Sequence, residues 1–86
     1  MSVYVDAARI PYRGMKMSHM LADTLDELQA MADRIGLRRA WFQGTASTPH
    51  YDVCEAKRQL AIDAGAIIVN RSALVDLIRE WRARKT

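Results

Sequence analysis

Short apolar runs alternate with longer segments of helical periodicity along this chain, and that alternation limits the fold most. Residues 2–6, 39–43 and 66–69 are rich in the β-branched, aromatic and small apolar side chains of buried strands. After each run, apolar residues recur at the spacing of an amphipathic helix. Strands that alternate with helices form parallel, right-handed crossover units. The pattern therefore predicts a single small α/β domain of order β-α-β-α-β-α, with a three-stranded, mostly parallel sheet in the order 2-1-3.

Capping residues mark the ends of the helices. Thr24 and Glu27 form a capping box at the start of a helix over residues 24–35, and Gly36 follows its end. A second helix is predicted over residues 53–64. The N-caps predicted for the later helices are Asp52 for the second and Asn70 or Ser72 for the third.

The segment between the first strand and the first helix is unusual for its length. Residues 7–23 run longer than structural loops usually do, so we expect them to be functional or to contain a short element. Its methionines are expected to anchor it on the core rather than to bind a metal. Trp41 and Trp81 lie on apolar stripes and are predicted to pack in the core.

Size and composition limit the class of protein. The chain has 86 residues, 50% of them hydrophobic, which predicts one domain over residues 1–86. Its small sheet leaves open edges, which favours a homo-oligomer, most simply a homodimer. No apolar run approaches the roughly 20 residues that span a bilayer, and no signal-peptide pattern is present, so no membrane partner is expected. Cys54 is the single cysteine, which excludes an intrachain disulfide and favours a cytoplasmic protein.

The positive charge is concentrated at the C-terminus. The formal net charge is +3, and residues 71–86 account for it. Cations near the end of a helix complement its dipole and keep the end solvated, which is the simpler explanation. The alternative is a non-catalytic nucleic-acid or protein interaction module. Its basic residues would be Arg79, Arg82, Arg84 and Lys85.

Polar residues follow the predicted strands at their carboxyl ends. In open parallel α/β sheets ligands bind at that edge, beside the N-termini of helices. The predicted catalytic residues there are His19, His50, Asp6 and Tyr51. The predicted ligand-binding residues are Arg9, Arg13, Gln43, Asp52, Lys57 and Arg58. Histidines and carboxylates supply acid–base groups, while arginine and lysine bind anions.

Several site types lack their signatures. Two histidines and two aspartates are the residue types of a divalent-metal site, but no tight ligand spacing supports one, so no metal site is predicted. Leu60 stands where a phosphatase loop that began at Cys54 would need arginine. No dinucleotide-binding glycine motif, Walker loop or zinc-deaminase motif is present. The sequence identifies no cofactor.

Several short words carry a resemblance to a known family. They are V-Y-V-D at residues 3–6, H-M-L-A-D at 19–23, W-F-Q at 41–43, P-H-Y-D at 49–52 and K-R at 57–58. With these words the chain resembles an uncharacterised small family, a domain of unknown function of bacteria and their phages, over nearly its whole length. The resemblance implies a short, stand-alone bacterial or phage protein and lends it no activity or cofactor.

Together these patterns predict a small cytoplasmic domain that binds a phosphorylated or nucleotide-like ligand at the carboxyl edge of its sheet. If the domain is catalytic, we expect it to hydrolyse a phosphoester or glycosidic bond. His50 or His19 would act as the acid–base group, and Asp6 would orient one of them or a metal. A protein that sequesters a nucleotide without turnover would use the same site.

Overall fold

The computed structural model describes residues 2–44 and 48–84, and in them three helices and six strands. The helices are α1 (Leu25–Ile35), α2 (Glu55–Asp63) and α3 (Arg71–Arg84), and a 3-10 turn spans Arg39–Trp41. The strands are β1 (Val3–Asp6), β2 (Ile10–Tyr12), β3 (Met15–Ala22), β4 (Phe42–Gln43), β5 (His50–Cys54) and β6 (Ile67–Val69). Lys85, the last residue of the predicted basic surface, lies outside the described residues, as do residues 45–47.

The strands form one mixed sheet in the order β4-β5-β3-β1-β6, and β2 pairs with β3. Among the described strands, β1 and β6 are the parallel pair, whereas the other neighbouring pairs are antiparallel. The predicted α/β class is confirmed. The prediction of a three-stranded, mostly parallel sheet is wrong, because it lacked β3, the eight-residue strand at the centre.

Residues 7–23 contain the β-hairpin of β2 and β3 rather than a loop without structure. β2 and β3 are joined by Arg13 and Gly14, whose φ angles are 49° and 78°. Positive φ at both central residues is the type I′ geometry, which matches the twist of a two-residue hairpin. The outer half of β3 is largely exposed and the inner half largely buried, so its sequence does not alternate as a half-buried strand would. Because this alternation is absent, the sequence pattern does not predict β3.

The second predicted helix starts later than expected because His50–Cys54 is a strand. Tyr51 and Val53 are buried in it and alternate with partly exposed neighbours, which is the period of two of a strand. α2 begins at Glu55, with Cys54 at the N-cap position. The prediction that Asp52 caps this helix is therefore wrong.

The second predicted strand is shorter than expected. Of residues 39–43, only Phe42–Gln43 form a strand, and the 3-10 turn precedes it. Trp41 is 46% exposed, so the prediction that it packs in the core is wrong. Trp81 is partly buried, and its Nε1 donates a hydrogen bond to the carbonyl of Ala22.

The other helix ends agree with the prediction. The Thr24 hydroxyl accepts a hydrogen bond from the backbone N–H of Glu27, which is the N-terminal half of the capping box. Gly36 ends α1 with a φ of 80°, the left-handed conformation that glycine adopts at little cost. Asn70 Oδ1 accepts from the backbone N–H of Ala73, so Asn70 rather than Ser72 caps α3.

The main core lies where α1 and α2 meet the sheet. Its members are Val3, Val5, Met20, Ala22, Leu28, Met31, Ala32, Ile35, Leu37, Tyr51, Val53, Ala61 and Ala66. Leu21 and Leu77 are buried outside this cluster. None of the helices within residues 2–44 and 48–84 combines the length and apolarity that crossing a membrane requires.

We expect Leu28→Ala to lower the free energy of unfolding by about 2–5 kcal/mol, because Leu28 is fully buried and its truncation leaves a cavity. Leu25 lies on the same helix but is 44% exposed, so Leu25→Ala should cost at most about 0.5 kcal/mol. Urea unfolding followed by circular dichroism measures both. Equal costs would contradict the assignment of the buried face of α1.

Candidate functional site

Asp6 ends β1 as a buried carboxylate, only 3% exposed. Between the Val5–Met20 and Ile10–Met17 pairs, residues 6–9, at the end of β1 and in the link to β2, lie opposite residues 18 and 19 of β3. This bulge interrupts the backbone ladder, and Asp6 Oδ1 accepts hydrogen bonds there from the backbone N–H groups of His19 (2.9 Å) and Ala8 (3.3 Å). The carboxylate therefore replaces ladder bonds that the bulge removes.

The second oxygen of Asp6 holds the His19 ring. His19 Nδ1 lies 2.6 Å from Asp6 Oδ2. Burial raises the pKa of Asp6, but the hydrogen bonds and charge of His19 and the hydrogen bond from Ala8 outweigh it and set the pKa below its ordinary value. Asp6 is thus ionised at neutral pH and can only accept, so Nδ1 of His19 carries the proton and Nε2 faces away from Asp6.

The contact between Asp6 and His19 also raises the pKa of His19. The hydrogen bond to Asp6 is the largest cause, partial burial opposes it, and the negative charges of Asp6 and Asp52 add to the rise. The imidazolium form of His19 is therefore favoured in the folded protein. A histidine with a raised pKa can donate a proton as the imidazolium and take one back.

β5 brings the second histidine and the second aspartate to the same face. Asp52 is the register partner of His19, and His50 lies two residues before Asp52, so all three side chains project from one face of the sheet. Asp52 Oδ1 lies 3.5 Å from His50 Nε2 and 4.0 Å from His19 Nε2. The two imidazole rings are 5.7 Å apart between centroids, edge to face. Asp6, His19, His50 and Asp52 form what we name the histidine–aspartate cluster.

The two rings are oriented alike. His50 Nδ1 lies 2.9 Å from the carbonyl oxygen of Thr48, and because a carbonyl only accepts, Nδ1 carries the proton there too. Both Nε2 atoms thus face Asp52. These are donor types that a divalent metal uses, but no group of three or more His, Cys, Asp or Glu side chains in the described part of the chain is arranged to hold a metal ion.

A cavity of about 630 Å³ adjoins the cluster. His19 and Asp52 form part of its wall. The other lining residues are Ile10, Pro11, Tyr12, Arg13, Met15, Met17, Ser18, Leu37, Ala40, Trp41, Gln43, Cys54 and Lys57. Its volume is in the range of sites that bind small molecules and cofactors. Apolar side chains and two members of the cluster, His19 and Asp52, therefore line the same cavity.

The predicted cations divide into two pairs. Arg13 and Lys57 line the cavity, and Lys57 Nζ also donates to the carbonyl of Ile35 at the end of α1. Arg58 Nε donates to the backbone carbonyl of Asp6, so it supports the strand that carries the cluster. Arg9 forms an ion pair with Glu55. The structure thus places two of the four cations where they can meet a ligand.

Two further predicted residues have different positions. Gln43 lines the cavity and is the register partner of His50. Tyr51 does not join the cluster, because its ring is fully buried in the core and its hydroxyl donates to Gln29 Oε1 at 2.6 Å. Burial raises the pKa of Tyr51. The prediction of a catalytic Tyr51 assumed a loop at this position, whereas β5 turns Tyr51 to the face opposite His50 and Asp52.

The sequence analysis missed Tyr12 and Trp41 as cavity residues. The guanidinium of Arg13 lies near the ring of Tyr12. The guanidinium of Arg38 lies near the ring of Trp41. The available signal was an arginine one or three residues away from each aromatic side chain, close enough in the chain for a cation–π contact.

The fold and the cluster define a small α/β domain that carries two histidines and two aspartates on one face of a mixed sheet. This chain belongs to the family described as Protein of unknown function (DUF4031), whose model matches residues 3–81. The resemblance to an uncharacterised small family is thereby confirmed. No curated protein and no solved structure gives a significant match.

We expect the stability of the domain to fall as the pH rises through the folded-state pKa of His19. Because that pKa is raised, the imidazolium contributes its full stabilisation below the unfolded-chain pKa of about 6.5, and the contribution disappears above the folded-state pKa. His19→Gln should lack this dependence. Urea unfolding of both proteins between about pH 6 and 9 measures it. A stability advantage of the native chain over His19→Gln that grows with pH would contradict the pairing with Asp6.

Proposed function

We propose that this domain binds a phosphorylated, nucleotide-like ligand in the cavity and hydrolyses a phosphoester bond in it. The observation that carries the proposal is the histidine–aspartate cluster, of which His19 and Asp52 line the cavity and His50 lies beside His19. Arg13 and Lys57 lie on the same wall and can neutralise a phosphate. Acid–base groups, cations and an apolar surface therefore adjoin one space.

The cluster supplies the proton transfers that hydrolysis needs. The imidazolium of His19 donates the Nε2 proton to the leaving oxygen as the bond from phosphorus to that oxygen breaks. His50, whose Nδ1 donates to the carbonyl of Thr48, accepts a proton at Nε2 from the water whose oxygen forms the new bond to phosphorus. Water is consumed, and exchange of protons with solvent restores both rings. Asp6 keeps His19 oriented, and Asp52 stabilises the positive charge on both rings.

A phosphoester is the better supported bond. Glycosidic hydrolysis usually needs two carboxyl groups that flank the sugar, one as acid and one as nucleophile or base. Asp6 is buried and already accepts three hydrogen bonds, so Asp52 is the accessible carboxylate of the cluster. Phosphoester hydrolysis needs a proton donor, a proton acceptor and cations that neutralise the phosphate. Two histidines with cations nearby supply these groups.

The basic C-terminal helix supports an interaction module less strongly. Arg84 donates to the carbonyl of Asp23, and its guanidinium lies 4.8 Å from the centroid of the Trp81 ring. One of the four basic residues predicted for that surface therefore helps to fasten α3 to the rest of the domain. Sequestration of a nucleotide without turnover uses the same cavity and differs only in that no product forms.

Turnover of phosphorylated substrates tests the proposal. With a panel of nucleotides, cyclic nucleotides and ADP-ribose, followed by ³¹P NMR, we expect the native chain to release product from at least one compound. His19→Gln should lower kcat/KM about 10²–10⁴-fold, because it removes the proton donor. Arg79→Ala, on the exposed surface of α3, is the matched control and should keep full activity. Binding without product would support sequestration, and equal turnover by His19→Gln would refute the role of His19.

We also propose that the domain is a cytoplasmic homodimer of a bacterium or phage. The unpaired Cys54 supports the compartment. The edge strand β6 supports the dimer, because Ile67 and Ile68 are 46% and 55% exposed on it. Light scattering should give twice the chain mass, and Ile68→Lys should give the monomer. Leu25→Lys, which changes an apolar residue of α1 that is 44% exposed, should leave the mass unchanged. A native monomer would refute the dimer.

A further inference from the structure

We infer that Tyr12 and Trp41 form a nucleobase subsite, so that the ligand of the cavity is a nucleotide rather than a sugar phosphate or inorganic phosphate. This inference rests on the proposed function, in which a phosphorylated ligand enters the cavity. It assigns a role to two aromatic residues that neither the core nor the histidine–aspartate cluster uses.

The first argument is exposure. Tyr12 is 53% exposed and Trp41 is 46% exposed, whereas Tyr51 is fully buried. Large aromatic side chains contribute most to stability when they are buried, so two that stay exposed and line one cavity contribute little to the fold. Their rings are available to a flat, apolar partner that enters the cavity.

The backbone at both positions is held by local structure. Tyr12 is the last residue of β2 and pairs with Met15 across the tight type I′ turn. Trp41 is the last residue of the 3-10 turn, and its backbone N–H donates to the carbonyl of Arg38. Because secondary structure holds both residues, a stacked ligand would meet surfaces whose backbone is already in place.

Each ring has a guanidinium near it. The Arg13 guanidinium carbon lies 5.4 Å from the centroid of Tyr12, and that of Arg38 lies 6.0 Å from the centroid of Trp41. Aromatic rings that stack bases, beside arginines that bind phosphate, are the common elements of nucleotide and single-strand recognition. A sugar phosphate would use the cations but has no π-face on which the rings could stack.

The apolar part of the remaining wall suits a base better than a sugar. The side chains of Ile10, Met15, Met17 and Leu37 offer sugar hydroxyl groups no strong hydrogen-bond donor or acceptor, whereas Ser18 and Gln43 are the polar residues of this part of the wall. The cavity of about 630 Å³ has room for a nucleotide. His19 and Asp52 line the same space, so a base on the rings and a phosphate at the cluster can belong to one molecule.

Calorimetry with paired probes tests the inference. The probes are the four common ribonucleoside 5′-monophosphates, with ribose 5-phosphate as the probe that has no base. We expect at least one nucleotide to bind about tenfold or more tightly than ribose 5-phosphate, because stacking of one base favours binding by that order. Trp41→Ala and Tyr12→Ala should each remove most of this preference and leave the affinity for ribose 5-phosphate unchanged. Trp41→Phe should keep most of it.

Leu60→Ala is the matched control, because Leu60 is also 46% exposed but does not line the cavity. It should bind every probe as the native chain does, and circular dichroism should show all four variants folded. If ribose 5-phosphate binds as tightly as every nucleotide, or if Trp41→Ala weakens both kinds of probe equally, the nucleobase subsite is refuted while the proposed function stands. If no probe binds, the nucleobase subsite is refuted, and the turnover panel with cyclic nucleotides and ADP-ribose decides the proposed function separately.

Discussion

The carboxylate of Asp6 is the interaction on which the rest of the structure depends. It lies at the bulge where the pairing of β1 with β3 gives way to that of β2 with β3, and it accepts the backbone N–H groups left without ladder partners. Its other oxygen holds the ring of His19. One buried carboxylate therefore bonds the backbone at the bulge and also orients the ring of His19. The same group thus contributes to the fold and to the candidate site.

The antiparallel register of β3 and β5 accounts for the rest of the cluster. Met20 pairs with Tyr51 on the core face, and the next pair, His19 with Asp52, lies on the opposite face. Because successive side chains of a strand point to opposite faces, the motifs H-M and H-Y-D each place core residues on one face and residues of the cluster on the other. A shift of one residue in this register would bury the charges and expose the core, so the packing of Tyr51 protects the geometry of the site.

Local patterns predicted the parts of the fold that local physics determines. The caps of α1 and the strand β6 follow from hydrogen-bonding and apolar periodicity that lie within each segment. β3 could not be found in this way, because its sequence does not alternate and its pairing with β5 is a long-range contact. β5 does alternate, but over five residues that run into the predicted second helix, so the pattern favours a helix there. The sequence pattern predicts His19 and His50 at one edge of a parallel sheet. In the structure they lie together on one face of the antiparallel pair β3 and β5. Tyr51 was misplaced for the same reason, since a loop and a strand orient alternate residues differently.

NMR of the histidine side chains tests the central claim most directly, because long-range ¹H–¹⁵N spectra report which ring nitrogen carries the proton. We expect His19 to keep the proton on Nδ1 throughout, with Nε2 titrating at a pKa above the ordinary value of about 6.5. Asp6→Asn should lower that pKa while the fold persists. A neutral His19 protonated at Nε2, or a pKa below the ordinary value, would contradict the role assigned to Asp6.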